Sequence, residues 1–250
     1  MDTDLIRVNG MVLSAMPIGE YDRRVVLLTA ERGKITVFAR GARRQQSAWQ
    51  ASTQPFATGT FTLYPGRSAY TLRGTEIRSY FTEISRDIEA VSYGFYFLEF
   101  AGYYSRENLE SGPLLNLLYV SLRALLKPAI PNELVRLVFE IRAMVTAGEF
   151  PDPSVCSCCG DELTEQGAFS PERARFYCAE CAGTAGRSYA LDATALYALR
   201  HIAGAPLERL YTFVLSPDVL EQIRKPFAIF RDRQIDRPFP SLAVLETIVS

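Results

Sequence analysis

The sequence predicts an α+β protein built from a small β-barrel, a helical region and a metal-binding module inserted into that helical region. Three observations support this prediction. Strand-like segments fill residues 1–80, apolar residues recur at helical spacing beyond residue 80, and four of the five cysteines form two C-x-x-C pairs within residues 153–185. A chain of 250 residues is long enough for two or three compact units.

The first eighty residues alternate between β-rich segments and turn signals. A polar stretch at 41–53 follows the third segment, and Pro65-Gly66 predicts a hairpin between the last two. Five short strands with one long loop after the third suit a small Greek-key barrel, and the pattern alone leaves an OB-fold and an SH3-like barrel open. The predicted strands are 6–16, 25–29, 35–39, 56–64 and 70–77.

Beyond residue 80 the spacing of apolar residues predicts helices. A largely buried helix is predicted at 88–103, a leucine-rich one at 114–126, and a third at 134–145 with Asn132 as its N-cap. Helical spacing returns at 192–203, where Asp192 is the predicted N-cap, and again from Ser216. Because proline lacks the backbone N–H group, Pro226 is predicted to kink or end that last helix.

The cysteines give the strongest chemical signal in the chain. Two thiolates two residues apart can bind one face of a tetrahedral ion, and a second pair brought over by a loop completes the site. Gly160 follows the first pair, where a tight turn often needs positive φ. Cys158 is either a spare thiol or an alternative to Cys159 as a ligand. We predict one structural Zn²⁺ per chain, bound by Cys156, Cys159, Cys178 and Cys181.

The cellular compartment bears on this choice of metal over disulfide. The first residues show no basic stretch followed by an apolar one, and the most apolar segment, 90–104, is too short to span a bilayer. We therefore expect a cytosolic protein with no membrane association. Thiols stay reduced in the cytosol, which favours a metal site.

Several enzyme classes lack their characteristic residues here. His201 is the single histidine of the chain, and Ile202 and Ala203 follow it, so the H-x-E element of the zinc deaminases is missing. The sequence contains no Walker A motif, no G-x-G-x-x-G and no G-x-S-x-G. A nuclease or deaminase that used the zinc would also need an open metal position. We expect a protein without enzymatic activity.

Charge is distributed unevenly along the chain and points to a polyanionic partner. The net charge is −1, yet residues 1–80 carry a net charge of +5 and the remainder −6. Arg40, Arg43 and Arg44 lie in one five-residue segment at the start of the polar loop, and guanidinium groups suit phosphate contacts. Trp49 either stacks on an unpaired base or anchors the end of the barrel. The predicted DNA-binding residues are Lys34, Arg40, Arg43, Arg44 and Trp49.

The motifs also occur in a distinctive order. GEYDRR at 19–24 precedes GKITVFARGARR at 33–44 and QPF at 54–56. GEFP at 148–151 then precedes the two cysteine pairs, and RPFPSL at 237–242 follows near the end. This order resembles the RecO family of bacterial DNA-repair and recombination mediators over essentially the whole chain.

The resemblance implies an OB-fold at 1–80 that binds nucleic acid, and a helical domain at 81–250 with its zinc module at 153–185. RecO proteins bind single- and double-stranded DNA and anneal complementary strands. With RecR they help to load RecA onto DNA covered by single-stranded-DNA-binding protein, without catalysing a reaction. Because some relatives lack the cysteines, the resemblance implies a structural zinc. We expect a cytoplasmic, nucleoid-associated protein.

The resemblance also implies a site for the acidic, hydrophobic C-terminal tail of single-stranded-DNA-binding protein. Arg136 and Arg142 lie beside apolar helix faces and are the predicted partner-binding residues, since a guanidinium group can hold a carboxylate. Alternatively, they face water or pair with Glu133 and Glu140. A zinc-containing, sequence-specific DNA-binding regulator is the alternative function, although no helix-turn-helix pattern supports it.

Overall fold

The structure, a computed structural model, describes residues 5–249 and divides into two compact units. The first unit comprises the chain up to Leu126 together with the segment from Ser241 onward, and the second comprises Lys127–Pro240. Within residues 5–249, no helix has both the length and the apolar character that crossing a bilayer requires.

Five strands of the first unit form a closed barrel in the order β1-β2-β3-β5-β4. β1 pairs with β2 and with β4, and all pairings are antiparallel except the one between β3 and β5, in which Val37 lies opposite Tyr70. This parallel closure confirms the OB-fold over the SH3-like alternative. The strands are β1 (Ile6–Ile18), β2 (Asp22–Thr29), β3 (Gly33–Ala39), β4 (Thr58–Pro65) and β5 (Tyr70–Ser79).

The barrel interior is filled by alternate residues of the strands. In β3 every second residue is buried, because successive side chains point to opposite faces of a sheet. The same alternation holds in β4, where Phe61 and Leu63 face inward. The interior cluster includes Val8, Val12, Val25, Leu27, Ile35, Val37, Ala39, Phe61, Leu63 and Leu72.

Gly33, at the start of β3, meets the segment after the first helix at very close range. Its φ is +62°, and a Cβ atom there would overlap the carbonyl oxygens of Arg106 and Leu109. The backbone N–H of the next residue, Lys34, donates to the carbonyl of Arg106 at 3.2 Å. Glycine is therefore required both by the backbone angle and by the available space.

Two predicted helices complete most of the first unit: α1 (Ile88–Tyr104) and α2 (Gly112–Leu125). Asp87 caps α1, since its carboxylate accepts hydrogen bonds from the backbone N–H groups of Glu89 and Ala90. The leucines of α2 face the interior, as their spacing predicts, and the helix ends before Lys127-Pro128. A short 3₁₀ turn, Thr82–Arg86, links the barrel to α1.

The last helix, α6 (Pro240–Val249), returns the chain to the first unit. The backbone N–H of Ser241 donates to the carboxylate of Glu99 on α1 at 3.0 Å, and the Ser241 hydroxyl donates to the same oxygen. A carboxylate here satisfies an N–H group that has no partner within the helix. Leu245 is the buried residue of α6.

The second unit begins with α3 (Asn132–Thr146), whose buried face matches the predicted apolar spacing. The prediction that Asn132 is its N-cap is wrong, because Asn132 is already helical. Pro131 occupies the cap position with φ −57° and ψ 134°, which is a non-helical conformation. The helix therefore begins at Asn132, one residue earlier than a cap at Asn132 would give. Gly148 has φ +75°, as expected for a glycine just after a helix.

Two further helices follow the cysteine segment: α4 (Ala193–Gly204) and α5 (Pro217–Gln234). Asp192 caps α4 by accepting from the backbone N–H of Ala195 at 2.8 Å, as predicted. Pro226 does not end α5, so that part of the prediction is wrong. The missing hydrogen bond costs about 3 kcal/mol, and the burial of Phe227 and Phe230 after it offsets this cost.

A three-stranded sheet between α3 and α4 has the order β7-β6-β8. Phe169 and Phe176 lie opposite each other on β6 and β7, and their rings stack with centroids 4.6 Å apart. Phe150 lies within 6.2 Å of both rings and also contacts Phe230 of α5 at 5.8 Å. These aromatic contacts fix the sheet on α5. The strands are β6 (Gln166–Ser170), β7 (Arg175–Tyr177) and β8 (Tyr189–Asp192).

Candidate metal centre and nucleic-acid interface

The four predicted ligands meet in space. The sulfur atoms of Cys156, Cys159, Cys178 and Cys181 all lie within 4.8 Å of one another, and those of Cys159 and Cys178 are 3.7 Å apart. A tetrahedron with metal–sulfur bonds of about 2.3 Å has edges of about 3.8 Å. The spacing and the all-sulfur donor set therefore fit a closed tetrahedral site that can hold a metal ion.

The first cysteine pair lies on a tight turn. The backbone N–H of Gly160 donates to the carbonyl of Cys156 at 2.9 Å, and the N–H of Cys156 donates to the carbonyl of Asp161 at 2.7 Å. Gly160 has φ +82°, as the sequence predicts for this position. The turn therefore directs both sulfurs to the same side.

The second pair follows β7 directly. The backbone N–H of Ala182 donates to the carbonyl of Cys178 at 3.0 Å and begins a short 3₁₀ turn, Ala182–Thr184. The two pairs are tied together because the N–H of Ser157, in the first turn, donates to the carbonyl of Phe176 on β7 at 2.8 Å. The sheet thus sets the distance between the two halves of the site.

The thiols differ in acidity. Burial raises the pKa of Cys156, but backbone N–H groups of Cys159, Cys178 and Cys158 outweigh this effect and lower its pKa to about 6. For Cys159, the backbone N–H of Asp161 lowers the pKa, whereas the Asp161 carboxylate and the neighbouring thiols raise it to about 11. Contact with Cys178 is the largest cause that raises the pKa of Cys181. The pKa of the Cys156 thiol is therefore lower than those of the Cys159 and Cys181 thiols.

Cys158 lies outside the four-sulfur cluster. Cys158 and Cys159 are both exposed, but Cys159 belongs to the four cysteines whose sulfur atoms lie within 4.8 Å of one another and Cys158 does not. The geometry therefore favours the spare-thiol alternative over the replacement of Cys159 by Cys158.

The predicted basic loop lies at the end of β3 and contains the exposed side chains of Arg40, Arg43 and Arg44. Successive turns stabilise it, with hydrogen bonds such as Arg44 N–H to the Gly41 carbonyl at 3.1 Å. Within residues 5–249, none of these three arginines forms an ion pair. Their charges therefore remain available to an external anion.

Lys34 lies apart from this loop. It is near the opposite end of β3 from Arg40, about 20 Å away at roughly 3.3 Å per strand residue. Its ammonium group donates to the carbonyl of Gly102, in the last turn of α1, at 2.6 Å. The structure therefore does not bring Lys34 together with the three arginines.

Trp49 is half-buried, and its ring packs against the apolar interior of the barrel. Its carbonyl accepts a hydrogen bond from the hydroxyl of Thr53 at 2.6 Å. This placement favours the anchoring alternative, because the ring takes part in the packing of the barrel interior.

The outer surface of the barrel adds residues that the sequence analysis did not select. Arg24 of β2 lies opposite Phe38 of β3, and Phe38 lies opposite Thr71 of β5. Tyr64 of β4 follows in the same row, with the guanidinium group of Arg73 5.6 Å from its ring centroid. The row combines cations with half-exposed aromatic rings, the groups that bind single strands. The alternating apolar pattern of β3 was the signal in the sequence that could have placed Phe38 on the outer face of the barrel.

The two predicted partner-binding arginines have partners within the second unit. The Nε of Arg136 lies 2.9 Å from a carboxylate oxygen of Glu140, which is 2% exposed and also pairs with Arg231 at 3.1 Å. Arg142 donates to the carbonyls of three residues at the end of α4: Ile202, Ala203 and Ala205. Arg136 therefore matches the predicted alternative of pairing with Glu140.

Comparison with known proteins covers both parts of the chain. Residues 1–81 match the family model "Recombination protein O N terminal", and residues 85–243 match "Recombination protein O C terminal". The DNA repair protein RecO of Alkaliphilus metalliredigens is 30% identical over 98% of this chain and 100% of its own length. Those of Acetivibrio thermocellus and Symbiobacterium thermophilum are 28% and 27% identical, over 97% and 98% of both chains.

Proposed function

The chain belongs to the RecO family, whose role lies in DNA repair and recombination, and on that premise we propose that it anneals complementary DNA strands without catalysing a reaction. The basic loop with Arg40, Arg43 and Arg44 is the observation that carries this proposal, because these three arginines form no ion pair with any residue of the described range 5–249. Strands resist annealing partly through phosphate repulsion, and bound cations reduce that repulsion.

The proposed contacts are to the DNA backbone and to base faces, with no base edge required. Arginines of the loop would contact phosphates, and Phe38 and Tyr64 on the outer row of the barrel would stack on unpaired bases. Sequence preference should therefore be weak. Both single- and double-stranded DNA are expected ligands, since the phosphate contacts are common to both.

The finer family functions are part of the same proposal. We expect the protein to work with RecR to help load RecA onto DNA covered by single-stranded-DNA-binding protein, in the cytoplasm at the nucleoid. We expect the tail of single-stranded-DNA-binding protein to bind the helical region. Because Arg136 and Arg142 already bond within the chain, the tail carboxylate should be held mainly by other groups.

The metal is proposed to be Zn²⁺ in a structural role, one ion per chain. Cys156, Cys159, Cys178 and Cys181 would hold it, and four protein ligands leave no position for a substrate. Zinc bound there would join the first turn to the segment after β7 and so stabilise the inserted module. The chain's own aromatic contacts would orient that module on α5.

An annealing assay with complementary oligonucleotides tests the proposal. The strands are mixed with and without the protein, and each reaction is repeated after coating with single-stranded-DNA-binding protein. Faster annealing for unrelated sequences alike supports the proposal, and no acceleration contradicts it. The alternative, a sequence-specific regulator, predicts a footprint at a defined sequence and no acceleration.

A further inference from the structure

The turn between β1 and β2 holds the start of the basic loop. The carboxylate of Asp22, the first residue of β2, accepts a hydrogen bond from the backbone N–H of Gly41 at 2.7 Å. Gly41 has φ +67°, so the chain makes a tight turn immediately after Arg40. A charged acceptor makes this a strong hydrogen bond, and it lies at the point where the loop leaves the barrel.

The same turn also contacts the middle of the arginine segment. The backbone N–H of Arg43 donates to the carbonyl of Tyr21 at 2.8 Å, and the guanidinium group of Arg44 lies 5.3 Å from the centroid of the Tyr21 ring. Arg43 also donates from its side chain to the carbonyl of Gly19 at 3.3 Å. The β1–β2 turn therefore fixes both the backbone and the side-chain directions of the arginines.

Arg23 holds the far end of the loop. Its guanidinium group donates to the carbonyl of Gln50 and to the hydroxyl of Thr53, both at 2.8 Å. Burial lowers the pKa of Arg23, and the positive charge of Arg43 lowers it further. Like charges are thus brought together in this region, and the hydrogen bonds of Asp22 and Arg23 offset their repulsion.

We propose that Asp22 is a positioning residue for DNA binding: it orders the loop so that Arg40, Arg43 and Arg44 are preorganised to contact the DNA backbone. This inference rests on the proposed DNA-binding function. Asp22 itself does not contact the DNA. A loop that is already ordered loses less conformational entropy when it binds, so the same arginine contacts give a higher affinity.

A positioning role and a purely electrostatic role of Asp22 predict opposite changes in DNA affinity when Asp22 is removed. Asp22 is an acid within a basic surface, so its removal should strengthen DNA binding if it acted only through its charge. A positioning role predicts weaker binding instead. Glu20 provides the matched control, because it is an exposed acid in the same turn and no backbone N–H of the loop donates to it among the contacts of residues 5–249.

The test measures the affinity of the full chain for a single-stranded oligonucleotide at several salt concentrations. Asp22→Ala should weaken binding roughly tenfold, with an unchanged salt slope because the same phosphates are contacted. Asp22→Asn keeps the acceptor oxygen and should rescue affinity. Glu20→Ala should bind as tightly as the native chain or more tightly. Amide exchange at Gly41 and Arg43 should accelerate in Asp22→Ala.

The outcomes separate this inference from the proposed function. Tighter or equal binding by Asp22→Ala, or a failed rescue by Asp22→Asn, overturns the positioning role. If Asp22→Ala does not fold, the nearly isosteric Asp22→Leu takes its place with the same expectations. An unchanged salt slope in Arg43→Ala would instead contradict the DNA surface itself, whatever the amide exchange at Gly41 shows.

Discussion

The guanidinium group of Arg142 on α3 caps the end of α4, donating to the carbonyl of Ala205 at 3.0 Å. It also donates to the carbonyls of Ile202 and Ala203. Carbonyls at a helix end lack partners within the helix, and a cation there also interacts favourably with the helix dipole. Burial lowers the pKa of Arg142, because it disfavours the charged form. The three hydrogen bonds to carbonyls offset this cost of burying the charge.

Replacing Arg142 should therefore reduce stability. Arg142→Ala leaves three carbonyls of the α4 end without their donor, and we expect a loss of about 3 kcal/mol in the free energy of unfolding. Chemical denaturation of the full chain measures it. Arg233→Ala, an exposed arginine of α5, is the control and should change little. Native stability with lost binding of the tail peptide would instead support a role in partner binding.

Loss of a single sulfur should release the metal. Cys178→Ser is expected to lose about one Zn²⁺ per chain and to destabilise the 153–185 module, because metal binding and local folding are coupled. Metal analysis and limited proteolysis of the module measure these effects. Cys158→Ser is the matched control and should retain the metal. Loss of metal in Cys158→Ser but not in Cys159→Ser would refute the proposed ligand set.

A methyl group at Gly33 should be poorly tolerated. Gly33→Ala requires positive φ and forces the Cβ atom into the carbonyl of Arg106, so we expect a loss of about 3 kcal/mol or more. Gly19→Ala shares the positive φ but meets no atom within 4 Å, and should cost about 1 kcal/mol. Thermal unfolding of both variants compares them, and equal losses would argue against the steric explanation.

The salt dependence of DNA binding should identify the phosphate contacts. The double variant Arg43→Ala, Arg44→Ala should bind all sequences more weakly, with the salt slope reduced by about one unit per lost contact. Lys34→Met should leave the slope unchanged and lower stability, because Lys34 bonds to the carbonyl of Gly102. An unchanged slope in the double variant would place the binding surface elsewhere.

The cap of α4 should make stability depend on pH. Hydrogen bonds from the backbone of Ala195 and then from the side chain of Gln222 lower the pKa of Asp192. A lowered native pKa gives stability that is present above the ordinary pKa of about 3.9 and is lost as the pH falls through the native value. The loss of stability in Asp192→Asn relative to the native chain should therefore be larger at pH 6 than at pH 3. Urea unfolding at both pH values tests this. The exposed Glu172→Gln should show no such difference.

Elements with a regular apolar period could be predicted from the sequence. The alternating residues of β3 and the leucines of α2 lie where their spacing places them, because burial of one face determines both elements. Pro226 was misjudged because the local cost of proline is outweighed by the packing of Phe227, which depends on residues distant in sequence. The parallel pairing of β3 with β5, which closes the barrel, likewise depends on residues distant in sequence and cannot be predicted from local patterns.

The candidate sites show the same division. The spacing of the cysteines was sufficient to predict their cluster, since a short turn fixes the two sulfurs of each pair. Charge counting grouped Lys34 with Arg40, although the predicted strand at 35–39 already places the two residues at opposite ends of one strand. The count also could not show that Arg142 meets the end of α4, some sixty residues further along the chain.

The hydrogen bond between Glu99 and Ser241 has a consequence for the order of folding during synthesis. The two residues are separated by 142 positions, with the whole second unit between them. At translation rates of about 5–20 residues per second, roughly 7–30 s pass between their emergence. During that interval α1 has been synthesised but lacks its contact with α6. The first unit to be translated is therefore the last to be completed, and a chain stalled within the second unit would leave the barrel unit unfinished.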